Sequence, residues 1–152
     1  MRGATATVWY LSGLIGSGEV LEKCAAWRNL LKEMRSAYLY IDPLSGENHS
    51  EITDDGLKGT FDPKAIVHRD KASVRNSDGL VVCLDTFGSP RGLCGTIFEL
   101  AWAMDWGRPV VAFSEEMQPK YVSHPFISAA CTVIVPTIEE AAKYMDFLAR
   151  GM

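Results

Sequence analysis

One carboxylate stands alone in the most apolar stretch of the chain. Glu99 is the single charged residue in Thr96-Ile97-Phe98-Glu99-Leu100-Ala101-Trp102-Ala103-Met104, a segment apolar on nearly every face. Burying a carboxylate costs several kcal/mol unless something compensates it, so a residue of this kind needs a reason. Two reasons fit. Thr96-x-x-Glu99 is a capping-box pattern, in which the glutamate would only tie off the first turn of a helix. Alternatively, the carboxylate sits in that first turn with its charge favoured by the helix dipole, ready to act as a nucleophile. Spacing alone leaves both open.

Other residues could work beside it. Asp70 lies in a helical pattern among Ile66, Val67 and Val74, where it either faces a site or pairs with Arg69 or Arg75 at the surface. Asp78 stands immediately before an apolar strand and reads first as a turn residue. Tyr10, at the carboxyl end of the first strand, points to the core or to the rim. The turn that follows, Ser12-Gly13-Leu14-Ile15-Gly16-Ser17-Gly18, is neither the dinucleotide fingerprint nor a P-loop, which ends in G-K-[ST]. It could still offer backbone N–H groups to an anion at a helix start. The cysteines Cys24, Cys83, Cys94 and Cys131 form no C-x-x-C, and His49, His68 and His124 are dispersed. These spacings predict a site without metal or cofactor.

The elements that must position these residues alternate between two periods. Thr7 to Leu11, Tyr38 to Ile41, Gly79 to Leu84, Pro109 to Phe113 and Thr132 to Val135 read as short buried strands. Val20, Cys24, Trp27, Leu31 and Met34 recur at helical spacing. Helices are also expected from about Pro63 to Asn76, Thr96 to Trp106 and Thr137 to Arg150. The last is announced by the capping box Thr137-x-x-Glu140. Leu44 to Phe61 is polar and without a clear period, so it reads as a long loop. Continuous apolar strands alternating with helices predict a doubly wound, five-stranded, mainly parallel α/β sheet with helices on both faces, Rossmann- or flavodoxin-like. Such sheets bind ligands outside the carboxyl ends of their strands, which puts the Ser12, Asp42 and Asp85 loops on one rim.

Composition narrows the function classes. The 152 residues are 47% apolar and 22% charged, with a net charge of 15 − 19 = −4. This is the make-up of one globular domain spanning 1–152, not of a disordered chain. Scattered basic residues in a mildly acidic chain argue against nucleic-acid binding. No stretch approaches the ~18 continuous apolar residues that a membrane span needs. The start shows no secretory pattern, so a cytoplasmic protein is expected.

The motifs together resemble the nucleoside 2-deoxyribosyltransferase family, which includes nucleotide N-glycoside hydrolases. The residues that carry the resemblance are Val8-Trp9-Tyr10-Leu11-Ser12-Gly13, Asp42-Pro43, His68-Arg69-Asp70, Ser77-Asp78, Gly95-Thr96-Ile97-Phe98-Glu99-Leu100-Ala101-Trp102-Ala103 and Gly107-Arg108-Pro109-Val110. They run in order through almost the whole chain. The resemblance implies that Glu99 attacks C1′ of a deoxyribose, with Tyr10 holding its rotamer and Asp70 assisting the leaving base. It also implies substrate contacts from Ser12, Gly13, Asp78, Ser89 and Gly95, with Asp78 mainly structural. The implied partners are a nucleoside or nucleotide, a free nucleobase and further copies of the chain, as a dimer or higher homo-oligomer. The apolar surplus on the Thr96–Trp106 helix agrees with the last. One position departs from the transferases, which often carry an aspartate six residues before the nucleophile. Here that residue is Leu93. The hydrolases lack this aspartate too, and take a 5′-phosphate with small hydroxyl residues, a role open here to Ser12, Ser17 and Ser89. Arg91 is the only cation in the Asp85 loop.

Overall fold

A computed structural model describes residues 6–45, 52–53, 56–57 and 61–152. Five strands form one sheet: β1 (Val8–Ser12), β2 (Leu39–Ile41), β5 (Gly79–Cys83), β6 (Val110–Phe113) and β7 (Val133–Val135). Their order is β2-β1-β5-β6-β7 and every pairing is parallel, so "mainly parallel" becomes wholly parallel. Two further strands, β3 (Ile52–Thr53) and β4 (Gly56–Leu57), pair antiparallel in a separate ribbon. The segment expected as a plain loop therefore contains a short ribbon, and the rest of residues 46–60 lies outside the described residues.

The helices are α1 (Gly18–Met34), α2 (Pro63–Asn76), α3 (Cys94–Asp105), α4 (Pro119–Val122), α5 (Pro125–Ala130) and α6 (Ile138–Ala149). Strand alternation sorts side chains onto two faces. Trp9, Leu11, Val81, Cys83, Val111 and Phe113 pack with Trp27 and Leu31 of α1 and with Ile138, Ala141, Ala142 and Met145 of α6. Tyr10, Leu80, Val82, Val110 and Ala112 pack on the other face with Val74 of α2, Leu100 and Ala103 of α3 and Ile127 of α5. Both faces are covered, as the apolar strands require.

Helix ends follow local chemistry. Asp62 caps α2 by accepting the Lys64 N–H at 2.8 Å, with Pro63 in the first turn. Thr137 caps α6 by accepting the Glu140 N–H at 3.2 Å. The short helices α4 and α5 were not expected. Each opens on a proline, and each is too short to show a helical period. Gly79 is required where β5 starts: a Cβ there would lie 2.6 Å from Trp9 Cζ3 and 3.0 Å from the Pro109 carbonyl.

The chain runs from β1 outward to β2, then returns to the other side of β1 as β5. The order therefore reverses between β1 and β5, and the crevice at their carboxyl ends is where a fold of this kind takes a ligand. Among the described residues no helix is long and apolar enough to cross a membrane.

Candidate active site

Alternation along β1 sends Tyr10 and Ser12 to the same face as α3, two residues apart, and both end on Glu99. The Tyr10 hydroxyl donates to Glu99 Oε2, and Ser12 Oγ donates to Oε1 at 2.9 Å. Tyr10 and Ser12 are fully buried and Glu99 is 8% exposed. Each carboxylate oxygen thus has its own hydroxyl donor, which fixes the plane of the group and leaves lone pairs for a reacting atom.

The capping-box reading of Glu99 fails. α3 begins at Cys94, two residues before Thr96, with Leu93 as N-cap and no side-chain cap bond. Glu99 consequently sits in the second turn and faces the sheet. Neither a cap nor the dipole of a first turn therefore accounts for its burial. Desolvation raises its pKa to about 7, against the lowering effect of the Tyr10 and Ser12 hydroxyls. The Asp70 carboxylate adds to the rise and the Arg28 guanidinium opposes it. Burial, then the Glu99 and Asp70 charges, push the Tyr10 phenol far above its ordinary range, so Tyr10 stays a proton donor to the carboxylate.

Two cavities open beside Glu99. One, of about 140 Å³, is walled by Gly13, Pro43, Asp70, Arg91, Gly95 and Glu99, with other backbone from the same loops. The second, of about 330 Å³, is apolar and is formed by Val67, Cys94, Phe98 and Trp102, again with Asp70 and Glu99. The three rim loops expected from the sheet topology do converge. Asp70 satisfies both of its readings: its Oδ1 is 2.9 Å from Arg69 Nη2, and it lines both cavities. Gly13 and Gly95 are wall residues, and a Cβ on Gly13 would come within 3.2 Å of Trp27 Cζ2.

Three expected substrate contacts are placed differently. Ser12 is fully buried with its hydroxyl on Glu99, so it acts through that carboxylate. Ser89 is not a wall residue of either cavity, and its Oγ accepts the Arg91 N–H at 3.2 Å. Asp78 lies at the amino end of β5, away from the rim. Its Oδ2 accepts the Val8 N–H at 2.8 Å while its own N–H donates to the Val8 carbonyl at 2.8 Å, lacing β1 to β5. Ser17 is the N-cap of α1. Cys94, expected in a loop, opens α3 and is exposed.

The sequence reading did not find the Ser12–Glu99 bond, the Arg91 wall or the Pro43 wall. The first was recoverable, since residues two apart on a strand share a face. Arg91 reaches the cavity because its Nη1 donates to the Ile15 carbonyl at 2.7 Å, a tertiary contact with no local signature. The loop bearing it is held rigidly. Asp85 accepts from Ser114 Oγ at 2.7 Å and from the Glu115 and Glu116 N–H groups at 3.1 and 3.2 Å, and Glu116 accepts the Thr86 and Phe87 N–H groups at 3.1 and 2.7 Å.

Comparison with known proteins shows a family and a shared fold. A profile of the nucleoside 2-deoxyribosyltransferase family matches residues 9–141, from β1 into α6. The chain belongs to that family. Its fold is similar to that of a 2-desoxiribosyltransferase from Leishmania mexicana, with TM-score 0.63 and 17% identity over 91% of this chain and 96% of that one. It is also similar to a conserved protein of Enterococcus faecalis V583, with TM-score 0.57 and 20% identity over 96% of each chain. A CMP N-glycosidase of Clostridium botulinum gives TM-score 0.54 and 14% identity over 93% of this chain and 99% of that one. No curated protein matches the chain in sequence.

The raised Glu99 pKa has a sign that can be measured. Between 4.5 and about 7 the folded protein holds a proton that the unfolded chain has released. The stabilising contribution is full below 4.5 and is lost as pH rises through 7, which amounts to on the order of 3 kcal/mol. Glu99→Gln should therefore unfold at a higher temperature than the unsubstituted protein at pH 8 and at a similar temperature at about pH 5. An equal difference at the two pH values would return Glu99 to an ordinary carboxylate.

Proposed function

We propose that the protein cleaves the N-glycosidic bond of a 2′-deoxynucleoside through a covalent glycosyl–Glu99 intermediate and passes the deoxyribosyl group to another nucleobase. The observation that carries this is a carboxylate whose two oxygens are each held by a β1 hydroxyl, on the wall of a cavity shared with Asp70. A glutamate oxygen attacks C1′ and forms an ester as the C1′–N bond breaks. The electron pair leaves with the base nitrogen, which is protonated from solvent with the Asp70 carboxylate against the base as relay. A nitrogen of a second base then displaces Glu99 from the vacated face and returns its proton to solvent by the same route. Two inversions give net retention, the logic of retaining glycosidases. Tyr10 and Ser12 hold the nucleophile in one orientation. Gly13 and Gly95 line the wall along which the substrate would lie, and Gly95 has open space where a Cβ would stand.

The second reading is a deoxynucleoside 5′-monophosphate N-glycosidase, with water in place of the second base. Arg91 favours it: this cation is on the cavity wall, anchored to Ile15 and with its backbone N–H on Ser89. Leu93, buried where transferases often carry an aspartate, favours it too. A silent nucleotide-binding domain is a third class, and it leaves the cost of burying Glu99 without a return.

We also propose that the protein assembles as a homo-oligomer through α2 and α3. Val67, Phe98 and Met104 are 52%, 57% and 57% exposed there, the first two on the wall of the apolar cavity. A face of this kind usually marks an interface. Sedimentation at micromolar concentration should show a dimer or larger species, and a monomer would remove the proposal.

Incubating a deoxynucleoside, and separately its 5′-monophosphate, with and without a second free base distinguishes the readings. The transferase reading expects base exchange that depends on the added base. Base release from the monophosphate in water alone would select the hydrolase, and no release from either would leave a binding domain. Asp70→Asn should slow base release by about 10²- to 10⁴-fold with the fold retained. An ordinary rate would return Asp70 to its pairing with Arg69.

A further inference from the structure

Arg28 occupies the buried stripe of α1 between Trp27 and Leu31 and is 1% exposed. An arginine taken this far out of water must be matched by partners. Its Nη1 donates to the Cys24 carbonyl at 2.8 Å, Nη2 to the Gly13 carbonyl at 3.4 Å, and Nε lies 3.2 Å from Asp42 Oδ1. Asp42, whose side chain is 7% exposed, also takes Lys32 Nζ at 2.7 Å and accepts the Leu44 N–H at 3.0 Å. One guanidinium therefore joins α1 to the loop after β1 and to the turn after β2. Both carry walls of the Glu99 cavity, Gly13 from the first and Pro43 from the second.

We propose that Arg28, held by Asp42, is a positioning residue of the Glu99 site: it fixes the Gly13 and Pro43 walls against each other and keeps a buried positive charge behind them. This rests on the reading of Glu99 as the reacting carboxylate. Tyr10 and Ser12 from β1 and Asp70 from α2 act on Glu99, and Arg91 from the loop before α3 and Cys94 from its own helix share its cavity walls. Arg28 is the contribution of α1, and its field lowers the Glu99 pKa while Asp70 raises it. A planar fork serves here where a lysine would not, because it donates to two carbonyls in different directions while its Nε stands against the Asp42 carboxylate as an ion pair.

The test separates charge from geometry. Carbon-13 NMR follows the titration of the Glu99 carboxyl, with the resonance assigned by its loss in Glu99→Gln. Arg28→Met should move the Glu99 midpoint to higher pH, and Asp42→Asn should move it to lower pH. Arg28→Lys keeps the charge and loses the fork, so it should leave the midpoint near its original value and lower kcat by up to about 100-fold. A merely structural Arg28 predicts lower Tm in all three variants, unshifted midpoints and an unchanged kcat in Arg28→Lys; that result would overturn the proposal. If Arg28→Met does not fold, Asp42→Asn carries the charge test, since its amide oxygen still accepts the Leu44 N–H. The titration needs no turnover. An unsubstituted protein without glycosidic activity overturns the activity reading, while the NMR midpoints still decide the placement of the charge.

Discussion

The rim of the sheet is organised around the need to bury one carboxylate and still let it ionise. Desolvation alone would keep Glu99 neutral, and hydroxyl donors on both oxygens pull the other way. Those donors come from a strand whose carboxyl end reaches Glu99. β1 is that strand, with β2 on one side and β5 on the other, and it delivers Tyr10 and Ser12 to one face by simple alternation. The same residues pack apolar neighbours elsewhere on that face, so the clamp and the core are one structure. A change in β1 register by one residue would remove both hydroxyls from Glu99 and turn the wrong side chains inward.

Around the clamp, buried polar pairs hold loops that have little core of their own. Asp85 and Glu116 bind successive backbone N–H groups across the loops after β5 and β6. Arg28 donates to the Gly13 carbonyl in the loop after β1 and pairs with Asp42, which accepts the Leu44 N–H in the turn after β2. At the amino end, Asp78 performs an equivalent task for β1 and β5, far from the ligand crevice. Sites need this stiffness, because a catalytic group displaced by about 1 Å can lose much of its effect. Part of the fold's stability is given up at Glu99 itself, whose ionisation above pH 7 opposes folding.

The architecture was readable in the sequence because buried parallel strands are continuous apolar runs and their helices carry a regular stripe. All five sheet strands and the four long helices fall within a few residues of the expected bounds, and α2 coincides with them at both ends. Glu99, Tyr10, Asp70, Gly13 and Gly95 were singled out and are brought together. What failed has physical causes. The capping-box spacing at Thr96 was accidental, because the helix starts earlier on Leu93, a residue with no capping side chain. Ser12 and Ser89 were read as ligand contacts from the resemblance; the fold adds bonds no spacing announces, Ser12 Oγ to Glu99 and the Arg91 N–H to Ser89 Oγ. Arg28 was not legible as a site residue, and the reach of Arg91 to the cavity was not either, because their contacts with the Gly13 and Ile15 carbonyls are made only by the fold.

The central claim is that Glu99 forms a bond to the sugar. A 2′-fluorinated deoxynucleoside analogue should slow breakdown of the ester, because fluorine destabilises the oxocarbenium-like transition state. Mass spectrometry of the digested protein should then find the added fluorosugar on the peptide containing Glu99, and the adduct should be absent from Glu99→Ala. An adduct on a different residue, or near-normal turnover by Glu99→Ala, would contradict the account.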